Sequence, residues 1–149
     1  MNTQKSDVVI VGAGIAGLIL AYECLNKGQS VTLLDRDSED NLGGLAKQAF
    51  GGMALVDTPL QRKMGVYDSH DIALKDWYSF ANFSEDDYWP KQWAEHYVKS
   101  SADMVYQWLI DHGVKFFPAV NWVERGLQGD GNSLPRYHIV WGTGHRLVE

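Results

Sequence analysis

The sequence predicts an α/β fold built around a parallel sheet, and three features near its start carry that prediction. Asp7 leads a β-branched run, Val8–Val11; a glycine turn, Gly12–Gly17, opens into a helical stretch that stops at Lys27-Gly28; and Ser30–Leu34 is a second apolar run closed by Asp35. Continuous rather than alternating apolar runs mark strands covered on both faces, as in parallel sheets. Strand, helix and strand within about thirty residues match the size of a right-handed βαβ crossover. Gly28 suits the left-handed position that ends a helix.

The rest of the chain is read in order. Residues 36–69 are glycine-rich and weakly periodic, so loops with little regular structure are expected there. A helix is expected over Asp71–Phe80. Ser84, followed by Glu85, Asp86 and Asp87, has the chemistry of an N-cap with acids in the first turn. A long helix then runs to His112, with Pro90 near its start and Gly113 as its stop. Short strands are expected at 114–117 and 122–124, a polar turn at 126–135 and a strand at 137–141. The turn Gly142-Thr143-Gly144 then leads into the first turn of another helix at His145–Glu149. Trp77, Trp89, Trp93 and Trp108 lie on or beside helices, where packing between helices explains them. The organisation expected is a βαβ unit and loop over 1–58, a Trp-rich helical insertion over 59–125, and a return over 126–149. Two clear parallel strands are fewer than a doubly wound sheet needs, so the chain reads as the opening part of a longer domain.

Composition narrows the function classes. Hydrophobic residues make up 45% and charged residues 21% of the 149 positions, which is globular rather than disordered. The net charge of −6 is scattered with no basic block, which argues against a nucleic-acid partner. Cys24 is the only cysteine and sits in an apolar helix, so an inert core thiol and a reducing, cytoplasmic setting are the default expectations. The apolar stretch from Val8 to Ala21 is interrupted by three glycines and is too short to form a transmembrane segment. His70, His96 and His112 show no metal-ligand spacing, so no metal is expected.

The chemistry is concentrated in the Gly12-Ala13-Gly14-Ile15-Ala16-Gly17 turn. G-x-G-x-x-G gains meaning from its context: it follows a strand, opens a helix and meets an acid at the end of the next strand. Gly12 permits the tight turn, Gly14 lets a pyrophosphate approach the backbone, and Gly17 lets helix and strand pack closely. Backbone N–H groups at the positive helix end attract the phosphates. Asp35 can accept hydrogen bonds from ribose hydroxyls and repels a 2′-phosphate, while Arg36 beside it is read chiefly as solvated surface. A second glycine-rich segment follows, with Gly43-Gly44 and Ala46 at one end and Gly51-Gly52-Met53 at the other. Its backbone can lie flat against a ligand, and its place after the ribose acid makes it a natural second wall of a cofactor cleft.

With both segments in place, the first fifty-three residues resemble flavoproteins of the fumarate reductase, succinate dehydrogenase and 3-oxosteroid Δ1-dehydrogenase superfamily. The resemblance implies a Rossmann-like FAD/NAD(P)-binding domain, present in part, with FAD as cofactor and both segments wrapped around it. Ala46 departs from the pattern, because many members carry Ser or Thr there. The resemblance extends to Arg136-Tyr137-His138, similar to the family's R-x-H segment. Arg136 and His138 share one face of a strand; they address a substrate or the flavin edge, or they merely order the strand. The activity implied is hydride transfer between flavin and a carbon–carbon bond of a small-molecule substrate, with the catalytic acid or base beyond residue 149. The competing readings are a nucleotide-binding module without chemistry of its own and an NAD-binding dehydrogenase domain. Self-association of the fragment through its unpaired sheet edge is also expected.

Overall fold

The computed structural model describes residues 5–119, 121–127 and 129–149, so Gln128 of the expected polar turn lies outside the described residues. The chain divides into two compact units, one running through Gly51 and rejoined by Gly142–Glu149, the other Gly52–Trp141.

In the first unit, β1 (Val8–Val11) pairs in parallel with β2 (Val31–Leu34), Val8 opposite Val31 and Val11 opposite Leu34. A reciprocal clamp starts the pair: Asp7 N–H donates to Ser30 Oγ at 3.0 Å, and Ser30 N–H to Asp7 Oδ2 at 2.8 Å. The crossover helix α1 (Ile15–Asn26) ends at Lys27, and Gly28 follows with φ of 75°. Ile10, Ala21 and Cys24 are buried where α1 covers the strands. The other face differs from expectation. Val9 is 59% and Val11 83% exposed, because among the described residues only one layer of helix covers this unit's sheet.

The stretch expected to be irregular contains regular structure. After a 3-10 turn at Glu39–Asn41 come α2 (Gly44–Gln48), β3 (Gly52–Ala54) and α3 (Pro59–Lys63). The segment Thr58-Pro59-Leu60-Gln61 explains α3. Thr58 Oγ1 accepts from Gln61 N–H, the Gln61 amide returns to Thr58 N–H, and Pro59 occupies the first turn.

The second unit contains β3, α3 and two longer helices, α4 (His70–Ala81) and α5 (Tyr88–Ser100). A π-helical stretch, Ser101–Gln107, continues into α6 (Trp108–Asp111). The expected long helix is thus present but widened in its middle. There, Ser100 Oγ donates to His96 carbonyl at 2.6 Å and competes with the backbone ladder for that acceptor. The N-terminus of α5 lies later than expected, because Ser84 donates twice to the Asp87 carboxylate and the helix begins after that turn.

Strands β4 (Phe116–Pro118) and β5 (Tyr137–Val140) complete an antiparallel sheet in the order β3-β5-β4. Met53 lies opposite His138, and Phe117 opposite Ile139. Residues 122–124 do not form the expected strand. Glu124 carbonyl accepts from Asn132 N–H at 2.8 Å instead, as the glycine-rich loop folds back on itself.

Val56, Ala73 and Val98 form the core of this unit. Trp77 meets Tyr97 edge-on at 5.7 Å, between α4 and α5 as expected. Trp89 and Trp93 correct that expectation. They are 69% and 67% exposed, because α5 turns the stripe containing Ala94 and Val98 inward. The short helix α7 (Thr143–Val148) belongs to the first unit and packs on α2.

Candidate cofactor-binding site

The glycine turn is held from two sides. Gly12, with φ of 105°, donates its N–H to Leu34 carbonyl at 2.7 Å, which ties the turn to the end of β2. Ala13 is fully buried. Its N–H donates to Asp35 Oδ2 at 2.6 Å, and its carbonyl accepts from Gly43 N–H at 2.8 Å. Gly14 and Gly43 form an isolated parallel bridge. One residue therefore joins the first turn, the acid after β2 and the second glycine segment.

The three glycines of the turn are present for different reasons. A Cβ on Gly17 would lie 1.9 Å from Gly12 carbonyl oxygen, so the fold itself excludes a side chain there. Gly14 has an ordinary φ of −73°, and a Cβ on it would meet nothing within 4 Å. No neighbour in the chain demands glycine at this position. The open space lies at the N-terminus of α1, where Ile15, Ala16 and Gly17 begin the helix and the first N–H groups lack intrahelical acceptors. A group needing close approach to backbone donors, such as a pyrophosphate, fits that space.

Asp35 is solvent-exposed, and its pKa is lowered, first by the Ala13 N–H and then by the Asp37 N–H on its other oxygen at 2.8 Å. It is ionised at neutral pH. Its oxygens accept from the backbone of Ala13, Asp37 and Arg36, and a carboxylate's roughly four acceptor sites leave capacity for a ribose hydroxyl. Arg36 points to solvent beside it. The acid's structural role, fixing the turn through Ala13, was absent from the sequence reading.

The second segment divides between the units. Gly43, with φ of 110°, and Gly44, with φ of 56°, lie on the turn, and a Cβ on Gly44 would sit 3.4 Å from Gly14 Cα. Ala46, in α2, packs its carbonyl on Gly144, where a Cβ would come within 1.8 Å. Gly51, with φ of 76°, closes this part of the first unit. Gly52 and Met53 belong to β3 in the second unit, hydrogen-bonded to β5.

Arg136 and His138 also lie in the second unit, both buried and on one face of the β5 chain. For both, the geometry favours ordering the strand over addressing a substrate. Arg136 donates to Asp68 with Nε at 2.7 Å and Nη2 at 2.9 Å, and with Nη1 to Asp76 at 2.7 Å and Asn132 at 2.9 Å. Its charge is compensated by two carboxylates, which leaves no surplus to attract an anion. Burial raises the Asp76 pKa, but the Ser133 backbone N–H, Arg136 and the Ser133 hydroxyl together outweigh that and hold it below the usual value.

His138 Nδ1 lies 2.8 Å from Arg136 carbonyl, and Nε2 lies 2.8 Å from Thr58 Oγ1. A carbonyl only accepts, so Nδ1 carries the proton and the Thr58 hydroxyl donates to Nε2. Burial lowers the His138 pKa and keeps the ring neutral. Gln61 completes the network by donating to Asp68 and to Pro135 carbonyl. Sequence reasoning missed Thr58, Gln61, Asp68 and Asp76. Only the T-P-x-Q capping signature offered a signal, and it pointed to a helix start.

Comparison with known proteins identifies the family. The family described as an FAD binding domain matches residues 7–149. A KsdD-like steroid dehydrogenase of Mycobacterium tuberculosis is 49% identical over 97% of this chain and 26% of that protein. Among solved structures, the 3-ketosteroid Δ4-(5α)-dehydrogenase of Rhodococcus jostii superposes with a TM-score of 0.76. That match has 24% identity and covers 97% of this chain and 34% of that one, a likeness of fold. An open-conformation flavocytochrome c3 fumarate reductase superposes at 0.74 with 26% identity, covering 98% of this chain and 24% of that one. The chain spans about a quarter of the length of the curated relative it matches.

Proposed function

Because this chain belongs to the FAD-binding-domain family, whose cofactor is FAD, we propose that it holds FAD through Gly12–Gly17, Asp35 and Gly43-Gly44, as part of an FAD-dependent oxidoreductase. The observation that carries this reading is the junction at Ala13. It joins the ribose acid and the second glycine segment around the open space beside Gly14. A turn made only for packing would need glycine at Gly17 and not at Gly14.

Bound FAD supplies hydride transfer to or from a carbon–carbon bond. The residues of this chain bind and orient it. The α1 N-terminus faces the pyrophosphate, the remaining lone pairs of Asp35 accept from ribose, and Gly44 keeps the second wall thin. Arg36, Ala46 and Gly51, in the same unit, continue the contact along the cofactor. The 49% identity to a steroid dehydrogenase favours a small, largely apolar substrate of that kind, and the single buried cysteine favours a reducing, cytoplasmic setting.

The test is Gly14→Val in the flavin-loaded protein. The backbone there tolerates a side chain, so circular dichroism should be unchanged while the yellow cofactor is lost. Stoichiometric FAD in a folded Gly14→Val protein would overturn the assignment.

A further inference from the structure

The second unit forms a half-open cavity of about 260 Å³, and none of the residues proposed to hold FAD lines it. Ala54, Val56, Trp77, Phe80, Tyr97 and Val98 make its apolar walls. Its size lies just under the roughly 300–1,000 Å³ of sites for drug-sized ligands, which suits one or two rings. Trp77 and Tyr97 meet edge-on at 5.7 Å, and Tyr97 Oη donates to Ala54 carbonyl at 2.9 Å, so both rings are fixed in place.

Besides the Trp77 N–H and the Tyr97 hydroxyl, the polar side chains of the lining are Glu124, Asn132 and Arg136. Arg136 is already paired with Asp68 and Asp76, and Asn132 Oδ1 accepts from it. Glu124 accepts from Asn132 Nδ2 at 3.3 Å and from Tyr137, and no ion pair reaches it among the described residues. A carboxylate offers about four acceptor sites, so Glu124 retains capacity for another donor. Arg136 is neutralised by Asp68 and Asp76, which do not line the cavity, so Glu124 contributes the lining's one charge without an ion pair among the described residues.

We propose that this cavity is a binding site for a neutral one- or two-ring molecule bearing an N–H or O–H donor, the donor directed to Glu124, and that it excludes acids. Apolar walls take the rings, and the carboxylate selects the donor.

Indole, indene and indole carboxylate have similar shapes and test the proposal by titration against the indole N–H resonance of Trp77 in the folded protein. Indole should shift that resonance saturably and bind about tenfold tighter than indene, which lacks the donor, and tighter again than the carboxylate. Glu124→Gln should narrow the gap between indole and its carboxylate, and Ala54→Leu should abolish binding by filling the cavity. Should Ala54→Leu fail to fold, the Glu124→Gln comparison still decides. The proposal is overturned if indole produces no saturable shift, if indene binds as well, or if Glu124→Gln leaves the discrimination unchanged.

Discussion

At Gly17, sequence motif and steric necessity coincide, because any side chain would run into the carbonyl of Gly12. Gly17→Ala should therefore lower stability by at least about 2 kcal/mol, the scale of overpacking a tight contact. Thermal unfolding compared with Gly14→Ala separates the two effects, since Gly14→Ala should melt near wild type. His138 sets a pH dependence. Its pKa is lowered by burial, so between its folded value and its ordinary value of about 6.5 the unfolded chain binds the extra proton. Stability from the neutral ring is complete above that ordinary value and declines as pH falls toward the folded value. Asp76, also lowered, adds a second loss as pH falls from the usual carboxylate value through its folded one. Urea midpoints measured at falling pH should show the first decline near pH 6.5, and His138→Gln should remove it. An unchanged profile in that variant would assign the decline to another group.

Arg136 acts between elements. It ties the segment entering β5 to α4 through Asp76 and to the approach to α4 through Asp68, in two buried ion pairs. Removing one partner of a buried pair strands the other charge and typically costs about 3–5 kcal/mol. Arg136→Ala leaves Asp68 and Asp76 without their cation and should therefore destabilise the second unit by about that amount, seen as loss of amide protection in β5 and α4. The first unit's βαβ should retain its protection. The alternation of Arg136 and His138 was visible in sequence, but their partners were not. Asp68 and Asp76 lie 68 and 60 residues away along the chain, and no local periodicity links residues so far apart. The π-helical stretch was hidden for a related reason, since apolar spacing alone does not show a side-chain bond to the ladder.

On the scale of the whole chain, the exposed apolar surface has a consequence. In the first unit Val9, Val11 and Leu34 are 59%, 83% and 50% exposed on a two-stranded sheet, and unpaired, uncovered strands invite association. The protein should therefore sediment as a concentration-dependent oligomer. Val11→Lys should shift the distribution toward monomer. A wild-type protein that stays monomeric at all concentrations would show the exposed face to be inert. Among the described residues no helix is long and apolar enough to cross a membrane.

What the sequence determined by itself was the local chemistry: β-branched runs that pair as β1 and β2, glycines where φ is positive or space is needed, and an acid one residue past the second strand. Those signals lie within one crossover, where neighbouring residues make the contacts that define the structure. The tertiary structure alone decided which oxygen of Asp35 holds Ala13, that Gly43 closes onto that same residue, and that Arg136 meets two distant carboxylates. It also decided that Trp89 and Trp93 stand largely in solvent while Trp77 packs edge-on against Tyr97. Side-chain type sets what a residue can bond to; only folding brings the partner within 3 Å, and burial then determines what that bond is worth.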